Sequence, residues 1–259
     1  MISLLTPSEV KEPTSLAIGS FDGLHEGHRT LIKSVVNEYA YTPTIASFWP
    51  HPREILYNET RLRLDLPSEK LPLLEKLGIK QLVLIPFDLE LSRLSAEEFI
   101  NGILINQLQA RSISVGENFR FGYKRRGDIN TIKNSIKNKN IKLNIVPLLE
   151  DQEGRISSSR VRNLLLQSDL VKAKELLKRP YSFSGKVVKG KGIGKKIGFP
   201  TANLQIDGRK FLPGEGVYAA WTKEINSGIK LPSVMNLGPQ PTINPLSPSA
   251  VEVHIIDKN

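Results

Sequence analysis

Residues 15–28 read SLAIGSFDGLHEGH, and this stretch decides how the rest of the chain is read. Its first part, Ser15–Phe21, is apolar without alternation, as in a strand covered on both faces. Gly19, Gly23 and Gly27 then let the backbone turn tightly, and a helical pattern follows in HRTLIKSVVNEY. Similar short runs recur at Thr44–Phe48, Gln81–Phe87, Ser112–Gly116 and Lys142–Leu148. Helical segments lie between them. Ser68–Leu77 stops at Gly78, which accepts a left-handed backbone, and Ser95-Ala-Glu-Glu98 has the capping-box form ahead of FINGILINQL. Alternating strands and helices with short links predict an α/β fold, a Rossmann-like parallel sheet with ligands at the carboxyl ends of its strands.

Further along, Ser157–Lys178 reads as helical and Arg179-Pro180 closes it. The character then changes. Residues 181–259 are dense in Gly and Pro, with strand-like pieces at Phe183–Val188, Gly216–Trp221, Leu231–Asn236 and Ala250–Ile256. Short strands joined by turn residues predict a small antiparallel barrel or sandwich. Two domains are therefore expected, 1–180 and 181–259.

The bulk composition excludes several classes. Of 259 residues, 39% are hydrophobic and 24% charged, an ordinary globular balance. Cys is absent, which removes disulfides, a thiolate nucleophile and Cys-based metal sites. No apolar run approaches the roughly 18–20 residues of a membrane span, and the N-terminus lacks a basic segment ahead of an apolar one. A cytoplasmic protein without a membrane partner is expected. The net charge of +10 fits phosphate-bearing partners. Its placement says more than its size: Lys124, Arg125 and Arg126 follow a Gly-aromatic stretch, and Lys186, Lys189, Lys191, Lys195 and Lys196 surround a Gly-rich loop.

The loop after the first strand carries the first candidate chemistry. A helix N-terminus attracts phosphate through its free N–H groups and dipole. His25 and His28, three apart, put two imidazoles on one side of a first helical turn. There they can follow charge developing on a transferred phosphoryl group. A hydride-transfer reading is disfavoured because G-x-G-x-x-G is missing at this turn.

H-x-G-H in this position resembles the adenylyltransferase superfamily. The longer string GSFDGLHEGH resembles the bacterial bifunctional riboflavin kinase/FAD synthetase family, as do Phe48-Trp-Pro-His-Pro52, Gly116-Glu-Asn-Phe-Arg-Phe-Gly122 and Ile156-Ser-Ser-Ser-Arg-Val-Arg162. The resemblance implies that Gly19, Phe21, Asp22, Gly23, His25, Gly27, His28, Ser157, Ser158, Ser159 and Arg162 serve ATP. It implies that His51, Asn118, Phe119 and Arg120 line the flavin side of the same cleft. A serine run followed by Arg at a helix start offers hydroxyls, N–H groups and a forked cation to a triphosphate.

The second constellation is Gly190-Lys-Gly-Ile-Gly-Lys-Lys-Ile-Gly-Phe-Pro-Thr-Ala-Asn203. It is not a Walker A loop, because Gly192 stands where Ser or Thr is needed. Its glycines and lysines can still cradle phosphate, and Thr201 and Asn203 offer oxygens at alternate positions, a donor type that suits Mg2+. GFPTAN resembles the riboflavin kinase signature, whose family adopts a small six-stranded β-barrel. The resemblance makes Gly190, Gly192, Gly194, Lys195, Gly198, Pro200 and Thr201 the kinase ATP contacts, with Thr201 and Asn203 on Mg2+. It makes Glu252 the base that accepts the ribityl 5′-hydroxyl proton.

Two departures stand out. Gln240 precedes Pro241 where the family usually has Arg, and relatives continue past the position of Asn259 through further closing elements. The expected function is flavin cofactor biosynthesis: riboflavin, FMN and ATP as substrates, FAD as product, Mg2+ as cofactor. The alternative is FAD synthetase alone, with a weak, incomplete kinase barrel. A basic nucleic-acid-binding protein is the remote alternative; without an RNA-binding signature or zinc finger, no nucleic-acid partner is expected. The sequence does not indicate the oligomeric state.

Overall fold

The computed structural model describes residues 1–189, 198–225, 227–238 and 251–256. The N-terminal part is built on strands β1 (Ser3–Leu5), β2 (Thr14–Ile18), β3 (Thr42–Trp49), β4 (Gln81–Pro86), β5 (Ala110–Gly116) and β6 (Lys142–Val146). They form one six-stranded sheet in the order β1-β4-β3-β2-β5-β6. Every pairing in it is parallel. From β2 the chain winds one way to β3 and β4 and later returns to the other side through β5 and β6. β2 is therefore the topological switch point, and the loop that follows it lies where such sheets bind ligands.

The continuous apolar runs are explained by burial on both faces. Leu16 and Ile18 of β2 join a core with Phe99, Ile100 and Leu104, whereas Ala17 joins a second core with Leu31, Ile32, Val35 and Leu74. Helix α1 (Glu26–Val36) and helix α3 (Pro67–Lys76) supply the second core. Gly78 adopts φ +89°, as the end of α3 requires. Ser95 caps the next helix in both directions, its Oγ accepting from Glu98 N at 3.1 Å and its N donating to the Glu98 carboxylate at 2.8 Å. This helix, α4, starts as Ala96–Glu98 and continues as a π-wound stretch, Phe99–Gln107.

Two features depart from the sequence reading. β1 adds an edge strand that the short apolar run Ser3–Leu5 did not announce. The stretch read as one helix over Ser157–Lys178 is two, α6 (Ser158–Leu166) and α7 (Leu170–Leu177). Ser168 takes φ +59° between them, and the Asp169 side chain caps α7 by accepting from Lys172 N at 3.0 Å. The polar Gln167-Ser-Asp169 step is a stop and a cap that helical periodicity alone passes over. Two short strands, β7 (Glu150–Asp151) and β8 (Gly154–Arg155), pair as a hairpin just before α6.

The C-terminal part contains β9 (Lys186–Val188), β10 (Ala202–Gln205), β11 (Gly216–Lys223), β12 (Lys230–Leu237) and β13 (Val251–Ile255). They form an antiparallel sheet in the order β11-β12-β13-β10-β9, around a core that includes Tyr218, Leu237, Val251 and Val253. Among the described residues the sheet has five strands in an open order, where the family barrel implied six.

The two parts are tied together beside the first loop. Arg63 N donates to Arg209 O at 2.7 Å and Phe211 N to Arg63 O at 2.8 Å. Phe211 packs into the core that Leu64 shares with α6 and α7. Between them the fully buried Lys210 ammonium donates to Leu64 O at 2.6 Å, Ser182 O at 3.0 Å and the Glu69 carboxylate at 2.7 Å. A buried charge needs such a set of acceptors, because desolvation without them costs several kcal/mol.

Candidate active sites

The loop Gly19–His25 leaves the switch-point strand and hands over to α1, with His25 as the residue before its first turn. Gly23 is required twice over: its φ is +90°, and a Cβ there would come within 2.7 Å of Leu64 Cδ1. Phe21 is fully buried and packs against His28, with ring centroids 5.3 Å apart. The His25 and His28 rings stack on each other at a centroid distance of 3.7 Å. The spacing thus brings the two imidazoles together, and a side chain at Gly27 would crowd the His25 ring at 3.3 Å.

Both rings are neutral at pH 7. Burial lowers the His25 pKa to about 4, helped by the nearby Arg155 and opposed by Asp22. Burial also pushes the His28 pKa well below its ordinary value, and His25, Lys70 and Arg155 act in the same direction. The Nδ1 atoms of both rings are buried and, among the described residues, lack a hydrogen-bond partner. Unpartnered buried nitrogens in a cationic surrounding form a site prepared for an anion, because added negative charge would raise both pKa values.

Asp22 organises this loop. Its carboxylate accepts from Leu64 N at 2.9 Å and Asp65 N at 3.4 Å, and its carbonyl accepts from Ser158 Oγ at 2.7 Å. Arg162 Nη2 pairs with the same carboxylate and also donates to Leu62 O at 3.2 Å. Arg162, read from the sequence as a phosphate cation, is thus engaged within the protein here. Ser157 caps α6, with Oγ accepting from Arg160 N at 3.3 Å, and Ser159 is exposed.

A cavity of about 940 Å³ opens on the other side of the loop, lined among others by Gly19, Asp22, His51, Asn118, Phe119 and Arg120. That volume suits a large small-molecule ligand. His51 caps helix α2 (Pro52–Tyr57), its Nδ1 accepting from Arg53 N at 3.1 Å. Burial, with Arg61 and Arg63 nearby, lowers its pKa to about 4. Phe119 stacks on Phe121 at 5.3 Å, and Arg120 pairs with Asp128 at 3.0 Å. With its amide oriented to satisfy its neighbours, Asn118 Oδ1 accepts from both Nη atoms of Arg155 at 3.1 Å. Arg155 therefore joins the cavity to the histidine pair. Sequence reading did not single it out, although it stands directly before the Ile156–Arg162 segment.

In the C-terminal sheet, strand register does the assembling. Asn203 lies opposite Glu252, which lies opposite Asn236 on its other side. Opposed residues hold their Cβ atoms about 4.5–5.5 Å apart, so the three form a row on one face. Glu252 is exposed. The Pro200 carbonyl is 2.8 Å from His254 Nδ1, which anchors the segment entering β10, and Gly198 adopts φ +85°. Gly190, Gly192, Gly194 and Lys195 lie outside the described residues, as do Gln240 and Pro241. Among the described residues no group of three or more His, Cys, Asp or Glu side chains is placed to hold a metal.

A parallel sheet wound outwards from a central strand, with paired imidazoles at that strand's carboxyl end, defines a nucleotide-binding α/β domain, here followed by an antiparallel β domain. Comparison with known proteins gives the family. Residues 8–160 match the model for FAD synthetase, and residues 177–259 match that for riboflavin kinase. The chain is 34% identical over 252 residues to the bifunctional riboflavin kinase/FMN adenylyltransferase of Escherichia coli strain K12, covering 95% of this chain and 79% of the relative. The protein of that description from Buchnera aphidicola subsp. Schizaphis graminum is also 34% identical, covering 97% and 82%. The chain belongs to the bacterial bifunctional riboflavin kinase/FMN adenylyltransferase family. A solved Streptococcus pneumoniae structure described as a macrolide-efflux protein superposes with TM-score 0.85 at 27% identity, covering all of this chain and 85% of that one. We carry over its fold and not its described activity. No described helix is long and apolar enough to cross a membrane.

Proposed function

We propose that this protein phosphorylates riboflavin to FMN with ATP and then adenylylates FMN to FAD. In the second reaction an FMN phosphate oxygen bonds to the α-phosphorus of ATP. The bond from that phosphorus to the bridging oxygen breaks, and the electron pair leaves with pyrophosphate. No covalent enzyme intermediate is needed. The observation that carries this reading is the stacked, neutral, unpartnered pair His25 and His28 at the carboxyl end of the switch-point strand. Its imidazoles would donate to phosphate oxygens as negative charge moves onto the leaving group, with Arg155 adding a cation. Gly19, Phe21, Asp22, Gly23 and Gly27 would shape the ATP loop, and Ser157, Ser158, Ser159 and Arg162 would border it. The cavity beside His51, Asn118, Phe119 and Arg120 would hold the flavin.

In the kinase reaction Glu252 would take the proton of the ribityl hydroxyl as its oxygen attacks the γ-phosphorus, with ADP leaving. Asn203 stands opposite Glu252 in the strand register, and with Thr201 it would offer neutral oxygens, a donor type that fits Mg2+ carried with ATP phosphates. Bound there, Mg2+ would neutralise charge on the transferred phosphate. Residues 181–259 would form the kinase domain and residues 1–180 the adenylyltransferase domain.

Separate assays on the 259-residue chain test both halves: riboflavin with ATP for FMN, and FMN with ATP for FAD and pyrophosphate. Formation of both products supports the proposal. FAD formation alone would restrict the protein to adenylyl transfer, and formation of neither would overturn the reading.

A further inference from the structure

Lys70 is a buried cation that the reactions above leave without a task. It sits in the second turn of α3 and is 7% exposed, yet it borders the 940 Å³ cavity together with Gly19 and Ser20. Its ammonium makes one described hydrogen bond, to Ser20 O at 3.2 Å, so further donor capacity remains. That same carbonyl already accepts from Ser47 Oγ at 3.2 Å.

Three other basic groups bordering the cavity are committed elsewhere. Arg53 forms a two-pronged pair with Glu59, Arg63 pairs with Glu54, and Arg120 pairs with Asp128. Lys124 and Arg125 are exposed at its edge. Among the described residues Lys70 has no carboxylate within ion-pair distance. Burial lowers its pKa, whereas Asp22 and Asp65 raise it and Arg63 lowers it. A buried ammonium with spare donors and no ion partner is costly unless a ligand supplies the anion.

Resting on the proposed adenylyl transfer, we infer that Lys70 receives the phosphate of the flavin nucleotide where the flavin cavity meets the histidine loop. Its position accounts for the choice of site: it is bonded to Ser20, between Gly19 of the cavity wall and Asp22 of the histidine loop. Lys70 would hold the attacking phosphate by charge, neither giving nor taking a proton. It would thereby make the cavity select a phosphorylated flavin over riboflavin.

The test compares Lys70→Met and Lys70→Arg with the wild-type chain in the FAD-forming assay. Riboflavin, which lacks the phosphate, serves as a competitive inhibitor against FMN, with all three chains carrying Glu252→Gln so that riboflavin is not converted to FMN during the assay. Removing a charged hydrogen-bond donor should raise KM for FMN by about 10–100-fold in Lys70→Met. The riboflavin inhibition constant and KM for ATP should stay within about twofold, and Lys70→Arg should recover part of the loss. If FMN and riboflavin weaken together, Lys70 only props the Ser20 loop and the inference is overturned. NMR of the Lys70 15Nζ in the wild-type protein gives an answer even if the variants do not fold. Its signal should respond to FMN and not to riboflavin in the presence of saturating ATP analogue, and an equal response to both would overturn the inference. Wild-type protein that makes no FAD would sink the adenylyl-transfer reading itself, while the NMR comparison would still decide whether Lys70 meets a flavin phosphate.

Discussion

The histidine loop and the Glu252 row show two ways of assembling the proposed phosphate-transfer sites. At the first, three glycines, a buried Phe21 and the Asp22 network bring two imidazoles into contact, with His25 buried and His28 half-buried. At the second, plain antiparallel register lines up Asn203, Glu252 and Asn236 on a face where Glu252 stays exposed. Burial acts on the first set: desolvation keeps His25 and His28 neutral until an anion arrives. The difference teaches that the N-terminal site depends on tertiary enclosure, whereas the C-terminal row needs only its strands.

The sharpest way to break this comparison is His28→Ala. FAD formation from FMN should fall by about 10²–10⁴-fold, the range for removing a transition-state donor, with riboflavin phosphorylation little changed. FAD synthesis surviving within about threefold would remove the imidazole pair from the chemistry. Glu252→Gln is the reciprocal experiment. Riboflavin phosphorylation should drop by about 10²-fold or more on loss of the base, and adenylylation should persist. A parallel loss of both activities in either variant would mean that the sites are not independent.

Stability sharpens the contrast further. Lys210→Met removes the cation paired with Glu69 and one donor from each of two carbonyls at the junction of the two parts. Urea unfolding should show a loss of about 3 kcal/mol, as when one partner of a buried ion pair is removed. No change would mean that Lys210 does not hold the parts together.

The smallest expected effect concerns pH. His25 has a folded pKa of about 4, below its unfolded value of 6.5, so the unfolded chain binds a proton first as pH falls. The stability it contributes is present above 6.5 and is lost between 6.5 and 4, by roughly 2–3 kcal/mol. His28 acts in the same direction. Urea unfolding at pH 7 and pH 4.5 should show this loss, and His25→Asn should show a shallower slope. Equal slopes would argue against the buried, neutral state.

Much of this architecture was legible because its signals are local. The run Ser15–Phe21, the stop at Gly78 and the cap at Ser95 each occupy a few adjacent residues. His25 and His28 were visible for the same reason, since they stand three positions apart among closely spaced glycines. Helical periodicity misread the break at Ser168 because apolar spacing resumes on its far side. Arg162 looked like a free cation in its own segment. Its partner Asp22 is 140 residues away. Lys70 meets Ser20 across 50 residues and Lys210 meets Glu69 across 141, so nothing beside them in the chain marks either.

By itself the sequence determined a parallel α/β unit followed by a strand-rich unit, together with the glycine-framed histidine loop. Backbone propensity, apolar period and short spacing act within a few residues, and these features need nothing else. Only the tertiary structure decided that the Nδ1 atoms of the two imidazoles are buried and, among the described residues, unpartnered, that Asp22 holds Arg162, and that the two parts share a buried ammonium. Desolvation and ion pairing depend on which groups surround a side chain in space, and the chain brings those groups together from opposite ends of its length.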